Sequence, residues 1–134
     1  DASVINNLLL DKFIPVIAPI ASANEIGHPG FNINADLAAS CIAAAIGAKK
    51  VIFMTDIVGV LDKEKNLLDT LTKEQIQTYK DDNTITGGMI PKVDACLEAI
   101  HNGVEKAHII DGRVEHSLLL EILTSEGIGT VIKK

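Results

Sequence analysis

The sequence predicts an α/β fold, a three-layer sandwich in which helices cover both faces of a mainly parallel sheet. Three short segments, 13–18, 51–54 and 107–110, are almost entirely apolar, which is typical of strands buried on both faces. Segments with helical spacing separate them, and strands connected in this way form parallel sheets with right-handed crossovers. With 134 residues, 47% of them hydrophobic, the chain is long enough for one domain with its own core.

The first elements follow from apolar spacing and from the residues that end helices. Residues 3–10 have apolar side chains at helical spacing and predict the end of a helix. Residues 13–18 predict the first strand, and 22–30, rich in Gly, Pro and His, predict a loop. A helix is expected over 33–46, where Gly47 ends it.

The second half of the chain continues the alternation. Residues 51–54 predict a buried strand that enters the loop 55–60, and 61–68 predict a surface hairpin or excursion. Thr72 and Gln75 have the spacing of a capping box and predict a short helix to about residue 80. The remaining pattern predicts a helix over 88–101, a strand over 107–110, a helix over 114–123 and a closing strand over 130–132.

Composition argues against several classes of function. A net charge of −6 and 3% aromatic residues are unfavourable for nucleic-acid binding. No apolar run reaches the roughly 18 residues of a membrane helix, and no signal peptide is expected. Cys41 and Cys96 lie in apolar helical patterns without CxxC spacing, so both are predicted to be buried thiols in a cytoplasmic protein. No metal site is expected, because the spacing of the four histidines, His28, His101, His108 and His116, does not match a known ligand pattern.

The segment 31–36, Phe-Asn-Ile-Asn-Ala-Asp, opens an Ala-rich helix and carries two polar side chains four residues apart. Asn32 and Asp36 are expected to share one face of its first turn, where the helix dipole attracts anions. Two interpretations remain open. Either Asn32 or Asn34 caps the helix while Asp36 complements the dipole, or these side chains belong to a binding site.

A second polar cluster lies at Gly87, Gly88 and Lys92, again at the start of a predicted helix. Two glycines allow the backbone to approach a ligand, and the helix N-terminus favours an anion. A lysine there opposes the dipole and needs a partner, for which the sequence favours an anionic ligand such as a phosphoryl group. The alternative is a flexible turn followed by a solvated lysine.

Polar residues also follow the predicted strands. Asn32, Asp56 and Asp111 with Gly112 each come after a strand or its loop, and ligands of such sheets bind beyond the carboxyl ends of the strands. The loop after Asp56 has neither a dinucleotide-binding nor a P-loop fingerprint, and such an Asp is also common in ordinary loops. His108 fits a core histidine. Glu121 lies among leucines and requires either a partner or a solvent-facing position.

Three segments, 31–36, 54–60 and 87–93, resemble in order and spacing the motifs of the amino acid kinase family, which has a carbamate kinase-like fold. The likeness is greatest to members that phosphorylate N-acetyl-L-glutamate and covers only the C-terminal half of those enzymes. It implies that 1–134 is the nucleotide-binding domain. The family's N-terminal half, with its glycine-rich loops, second lysine and substrate-holding arginine, is expected to be absent, so this chain should fold and bind ATP weakly without catalysis.

The resemblance implies ATP-dependent phosphorylation of the side-chain carboxylate of N-acetyl-L-glutamate in arginine biosynthesis, with Mg²⁺ held mainly through the phosphates. In that scheme Lys92 stabilises the transferring phosphoryl group, Asp36 orients the catalytic lysines and Asn32 binds the substrate carboxylate. The implied adenosine-binding positions are Asp56, Ile57, Val58, Gly59, Val60, Leu61, Thr84, Ile85, Thr86 and Met89.

The segments 108–113 and 126–130 and the helix bearing Glu121 further resemble the arginine-inhibited members of the family. This implies an arginine effector site lined by Lys50, His108, Glu121 and Gly127, in which the guanidinium group is the partner of Glu121. The full-length enzyme is expected to be a homo-oligomer. Two alternatives remain: another kinase on this scaffold, acting on uridylate, carbamate or aspartate, or a module that binds nucleotide or arginine without catalysis.

Overall fold

Five helices and two sheets form the part of the chain that the computed structural model describes, residues 1–27, 29–124 and 127–134. His28 of the predicted 22–30 loop and Glu126 of the C-terminal motif lie outside the described residues. The elements in chain order are α1 (Ser3–Leu10), β1 (Ile20–Ala21), β2 (Phe31–Asn32), α2 (Ala35–Ala45), β3 (Lys50–Thr55), β4 (Thr70–Leu71), α3 (Lys73–Asp81), α4 (Met89–His101), β5 (Lys106–Asp111), α5 (Ser117–Leu123) and β6 (Gly129–Lys133).

The main sheet has the strand order β3-β5-β6-β4 and confirms the predicted α/β class. β3 pairs with β5 and β4 with β6 in parallel, whereas β5 and β6 are antiparallel. The register places His108 of β5 between Ile52 of β3 and Val131 of β6. A second, two-stranded antiparallel sheet joins β1 to β2 at the ends of the predicted loop.

Helices cover both faces of the main sheet, which gives the predicted three layers. Ala107 and Ile109 of β5 belong to the core that α4 completes with Val93, Cys96 and Ala99. On the opposite face, His108 contacts α5. Successive side chains of a strand point to opposite faces, so a strand with nearly continuous apolar character is buried on both.

Helix and hairpin signals in the sequence identify most of the described elements. The predicted capping box of α3 is present: the hydroxyl of Thr72 accepts a hydrogen bond from the Gln75 backbone, and the Gln75 side chain accepts one from Thr72. The predicted surface excursion over 61–68 contains an antiparallel bridge between Leu61 and Leu67. α5 begins three residues later than predicted, because residues 112–116 form turns and bends and His116 has a left-handed φ of 59°.

The predicted strand over 13–18 is wrong. No strand pairs with it among the described residues, and Ile14 and Val16 are 89% and 95% exposed. Apolar composition makes a segment suitable for a buried strand, but a strand also needs a neighbour that pairs with its backbone groups. A cavity of about 720 Å³ separates this segment from β3.

The two cysteines differ. Cys96 is buried in α4 as predicted, and burial raises the pKa of its thiol. The prediction of a buried Cys41 is wrong, because this residue lies on the side of α2 that lines the open cavity. Among the described helices, none is long and apolar enough to cross a membrane.

Candidate active site

The N-terminus of α2 is capped by Asn34, whose side-chain Oδ1 accepts a hydrogen bond from the Leu37 backbone N–H at 3.1 Å. Of the two asparagines considered, Asn34 is therefore the one that caps the helix. The expectation that Asn32 and Asp36 share a helix face is wrong, because the helix begins at Ala35 and Asn32 is an exposed residue of β2. Asp36 lies in the first turn, where the dipole stabilises its charge.

The N-terminus of α4 is an open glycine turn. Gly87 has a φ of 55°, and Gly88 occupies the N-cap position without a side-chain cap. A Cβ added at either glycine would meet nothing within 4 Å, so space is open beside this turn. The first two N–H groups of α4 are already used, since Met89 donates to the Thr86 carbonyl and Ile90 to the Gly87 carbonyl, both at 3.2 Å. Pro91 at the third position has no N–H.

Lys92 of α4 and Asp36 of α2 form an ion pair, with Nζ and Oδ2 3.0 Å apart. The side chains are 24% and 26% exposed, so solvent reaches both. The residues alone favoured an anionic ligand as the partner of Lys92, whereas the family resemblance implied that Asp36 orients the catalytic lysines. In the structure the partner is Asp36. A cation that opposes one helix dipole is thus stabilised by a carboxylate from a neighbouring helix.

Two small residues set the distance between the helices that carry this pair. The hydroxyl of Ser40, one turn after Asp36, is 2.8 Å from the Ala95 carbonyl of α4 and 2.9 Å from the Asp36 carbonyl. Ser40 is 1% exposed. A buried polar contact between two close-packed helices fixes their relative position, and with it the relative position of Asp36 and Lys92.

The sheet topology brings the predicted polar clusters to one edge. β3 and β5 are parallel and in register. Asp56 directly follows β3 and Asp111 ends β5, so both lie at the same edge of the sheet. The Gly112 N–H donates to the Thr55 carbonyl at 2.8 Å and links these two ends. α2 and α4 each precede one of these strands by a short connection, so their N-termini face the same edge.

One prominent ion pair at this edge was not predicted from the sequence. Arg113 binds Asp111 in a bidentate manner, with Nε–Oδ1 and Nη2–Oδ2 distances of 2.9 and 2.8 Å, and its backbone N–H donates to the same carboxylate. These hydrogen bonds lower the pKa of Asp111 to about 2. The Asp-x-Arg spacing, which is typical of an Asx turn, is the sequence signal from which this pair could have been predicted.

The loop after β3 carries the first group of implied adenosine positions. Ile57 and Val58 are exposed apolar side chains, whereas Val60 is buried and donates its N–H to the Thr130 hydroxyl at 2.8 Å. Gly59 has a φ of 145°, and a Cβ there would lie 2.6 Å from Cδ1 of Leu67. Only glycine fits this position, so the loop is held tightly against β6.

The second group lies before α4. Thr84 donates from its N–H and its hydroxyl to Asp82, at 2.9 and 2.6 Å. Ile85 is buried, Thr86 is exposed and Met89 packs against the core. Val60 and Ile85 both belong to the hydrophobic core, so one residue of each group is buried there.

A buried acid–imidazole pair lies on the opposite face of the sheet. Nδ1 of His108 is 2.6 Å from Oε1 of Glu121, and both side chains are at most 6% exposed. Oε2 of Glu121 also accepts a hydrogen bond from the Ile128 backbone at 3.3 Å. Glu121 therefore has protein partners rather than a solvent-facing position. Nε2 of His108 is buried without a hydrogen-bond partner among the described residues.

The electrostatics of His108 reflect this burial. Loss of solvation lowers the pKa of the imidazole, and the nearby Glu121 carboxylate opposes that shift. The ammonium groups of Lys50 and Lys106 lower it further. Of the four implied effector residues, His108 and Glu121 are in direct contact, Lys50 lies close enough to affect His108, and Gly127 is exposed beside Ile128.

Within residues 1–27, 29–124 and 127–134, no group of three or more His, Cys, Asp and Glu side chains is arranged to hold a metal ion.

Residues 1–111 match the model of the amino acid kinase family. Two relatives are acetylglutamate kinases. That of a Nitratiruptor species is 71% identical over 98% of this chain and 46% of its own length. That of Nautilia profundicola is 67% identical over 100% of this chain and 48% of its own. The chain thus spans about half the length of these relatives.

Solved structures support the same fold. The chain superposes with a TM-score of 0.88 and 25% identity on N-acetylglutamate synthase from Neisseria gonorrhoeae in complex with coenzyme A and L-arginine, covering 100% of this chain and 31% of that one. Carbamate kinase from Giardia lamblia bound to AMP-PNP gives a TM-score of 0.70 with 22% identity, over 99% and 44% of the two chains.

Proposed function

The chain belongs to the amino acid kinase family, and we propose that it supplies the nucleotide-binding part of an enzyme that phosphorylates N-acetyl-L-glutamate. The relatives at 71% and 67% identity are acetylglutamate kinases, and the chain aligns with them over 98% and 100% of its length. The reaction moves the γ-phosphoryl group of ATP to the side-chain carboxylate of acetylglutamate, with ADP as the second product.

The observation that carries this proposal is the Lys92–Asp36 pair at the carboxyl edge of the sheet. Phosphoryl transfer needs positioning and charge stabilisation more than covalent participation by the protein. The Lys92 ammonium is held by a carboxylate on a different helix, so its position is fixed before substrate arrives. A fixed cation stabilises negative charge that develops on the transferred group without reorganisation.

The nucleotide fits the open turn at Gly87 and Gly88. The open space beside both glycines and the Lys92 ammonium suit the phosphates of ATP, and the exposed Ile57 and Val58 provide an apolar surface for the base. Gly59, Val60 and Ile85 are buried, so in this scheme they support the loops instead of offering side chains. Mg²⁺ would be held mainly through the phosphates, where it neutralises charge.

Asn32 is assigned to the substrate. It is exposed in β2, one connection before α2, and its amide is not used as the cap of that helix, since Asn34 has this role. An exposed amide near a helix N-terminus suits a carboxylate ligand, to which it donates. Asp36 follows Asn32 in the same segment of the chain, in the first turn of α2, and Lys92 lies on the neighbouring helix α4.

Arginine is the proposed effector, bound near His108 and Glu121 with Lys50 and Gly127. Nε2 of His108, which has no hydrogen-bond partner in the part of the chain that the structure describes, and the Glu121 carboxylate are acceptors for guanidinium N–H groups, and the Lys50 ammonium suits an α-carboxylate. The superposed N-acetylglutamate synthase was crystallised with L-arginine. In this proposal arginine, the end product of its biosynthetic pathway, inhibits the enzyme by feedback.

Substrate profiling tests the proposal against other kinases of this scaffold. The chain would be joined to the remaining part of the Nitratiruptor acetylglutamate kinase, and ADP release measured with acetylglutamate, carbamate, aspartate and uridylate. We expect turnover with acetylglutamate only. Turnover with another acceptor alone would identify a different kinase, and calorimetric ATP binding without any turnover would identify a non-catalytic module.

A further inference from the structure

Lys63 and Asp82 form an ion pair between the two segments that carry the implied adenosine positions. Nζ of Lys63 is 3.2 Å from Oδ2 of Asp82. Lys63 belongs to the excursion over 61–68, into which the first group, 56–61, continues. Asp82 is the C-cap residue of α3 and comes just before the second group, which starts at Thr84. The pair therefore links two segments that are separate in the sequence.

Asp82 also holds the backbone of the second group. Its Oδ1 accepts hydrogen bonds from the N–H and the hydroxyl of Thr84, at 2.9 and 2.6 Å. The bond from the hydroxyl, followed by that from the N–H, lowers the pKa of the Asp82 carboxyl, so this group is ionised at neutral pH. Asn83 between them has a left-handed φ of 59° and leads the chain out of α3. One carboxylate thus serves the second group with Oδ1 and Lys63 with Oδ2.

The turn that carries Lys63 is closed by its own hydrogen bonds. The N–H and Nδ2 of Asn66 donate to the Asp62 carboxylate at 2.8 and 3.0 Å, and the Asp62 N–H donates to the Asn66 carbonyl at 2.9 Å. The Leu68 N–H donates to the Val60 carbonyl at 2.9 Å and joins this turn to the first group. A displacement of Lys63 therefore also displaces the end of the first group.

We propose that Asp82 is a positioning residue that sets the separation of the two groups for nucleotide binding, an inference that rests on the proposed function of the chain. Val60 and Ile85 anchor the two groups in the hydrophobic core. The Lys63–Asp82 pair acts on their exposed parts, where the adenosine of ATP would bind. Asp82 acts there through Thr84 and Lys63 and makes no contact with the nucleotide itself.

The proposed catalytic lysine is held independently of this pair. Lys92 is paired with Asp36 of α2, and neither residue belongs to the two groups. Loss of the Lys63–Asp82 pair should therefore weaken ATP binding and leave the rate of phosphoryl transfer unchanged. The Lys63 and Asp82 side chains are 56% and 39% exposed, so the pair has the modest, salt-sensitive strength of a surface ion pair.

Calorimetric titration of ATP and steady-state kinetics on the completed enzyme test the proposal. Lys63→Met and Asp82→Asn each remove the ion pair, while the new amide keeps an oxygen that can accept from Thr84. Each should raise the Kd and KM for ATP about two- to fivefold, with kcat and the KM for acetylglutamate unchanged. The double variant should bind ATP as well as either single one, because both changes remove the same contact.

Lys65→Met is the matched control in the same turn. The Lys65 side chain forms no ion pair in the part of the chain that the structure describes, so this variant should bind ATP normally. Asp82→Ala also removes the acceptor of Thr84 and should raise the Kd at least about tenfold. Raising the salt concentration from about 50 to about 500 mM should abolish the difference between Lys63→Met and the unmodified enzyme, which a purely structural defect would not show.

The outcomes separate this proposal from the proposed function. Circular dichroism melts check that the variants fold. Equal ATP affinity in Lys63→Met and the unmodified enzyme, additive effects in the double variant, or a parallel fall in kcat would each overturn the positioning role while acetylglutamate turnover by the unmodified enzyme still supports the kinase. An unmodified enzyme without affinity for ATP would overturn both.

Discussion

Truncation of Glu121 should destabilise the chain strongly. Glu121→Ala removes the acceptor of a buried group, Nδ1 of His108, and of a partly buried group, the Ile128 N–H. Each buried polar group left without a partner costs about 1–3 kcal/mol. We therefore expect a loss of about 2–5 kcal/mol for the two groups, a large share of the roughly 5–15 kcal/mol by which domains are stable.

Urea unfolding followed by circular dichroism measures this loss. Glu121→Gln keeps the shape and one acceptor oxygen, so its cost should be smaller, about 1–2 kcal/mol. Glu105→Ala, at an exposed position, is the control and should change the unfolding free energy by less than about 0.5 kcal/mol. If Glu121→Ala costs less than about 1 kcal/mol, the His108–Glu121 pair does not contribute in the way the distances indicate.

Four further predictions concern the site and the sheet. In the completed enzyme, Lys92→Ala should lower kcat at least a hundredfold with little change in KM for ATP, since a fixed charge of this kind contributes about 3–4 kcal/mol to the transition state; a loss under fivefold in steady-state kinetics would contradict this. Gly129→Ala should prevent formation of the native β5–β6 pair, because a Cβ would lie 2.1 Å from the Ile109 carbonyl, and circular dichroism would show a large fall in Tm. Asp111 has a pKa of about 2 in the folded state against about 3.9 when unfolded. The stabilisation that its ionised carboxylate provides is therefore complete above about pH 4 and should be lost as the pH falls through about 2. Asp111→Asn should reduce this acid sensitivity in urea titrations. The folded-state pKa of His108 is lowered, so below about pH 6.5 the unfolded state binds the extra proton and stability should fall as the pH decreases, with a weaker slope in His108→Gln.

The local signals in the sequence were sufficient where a few neighbouring residues decide the structure. The capping box at Thr72 and Gln75 fixes the start of α3, and the strands over 51–54 and 107–110 follow from their apolar runs. Lys92 was correctly expected to need a partner, because the direction of a helix dipole can be known from the sequence alone.

The sequence failed where the outcome depends on distant residues. The segment 13–18 has the composition of a strand, but whether it pairs depends on a neighbour that composition does not specify. The partner of Glu121 became known only from the register of β5 and the position of α5, which place His108 beside it. Likewise, Asp36 and Lys92 are 56 residues apart, so their contact is a property of tertiary packing.

The Ser40–Ala95 contact has a consequence for how this site can vary. Asp36 and Lys92 are carried by different helices, and the spacing between those helices is set by side-chain volumes one turn deeper, where Ser40 and Ala95 meet. Adding a single methylene at such a contact forces neighbouring backbone to shift. The distance between the Asp36 carboxylate and the Lys92 ammonium can therefore change through substitutions at Ser40 or Ala95, while the exposed residues beside the pair stay the same.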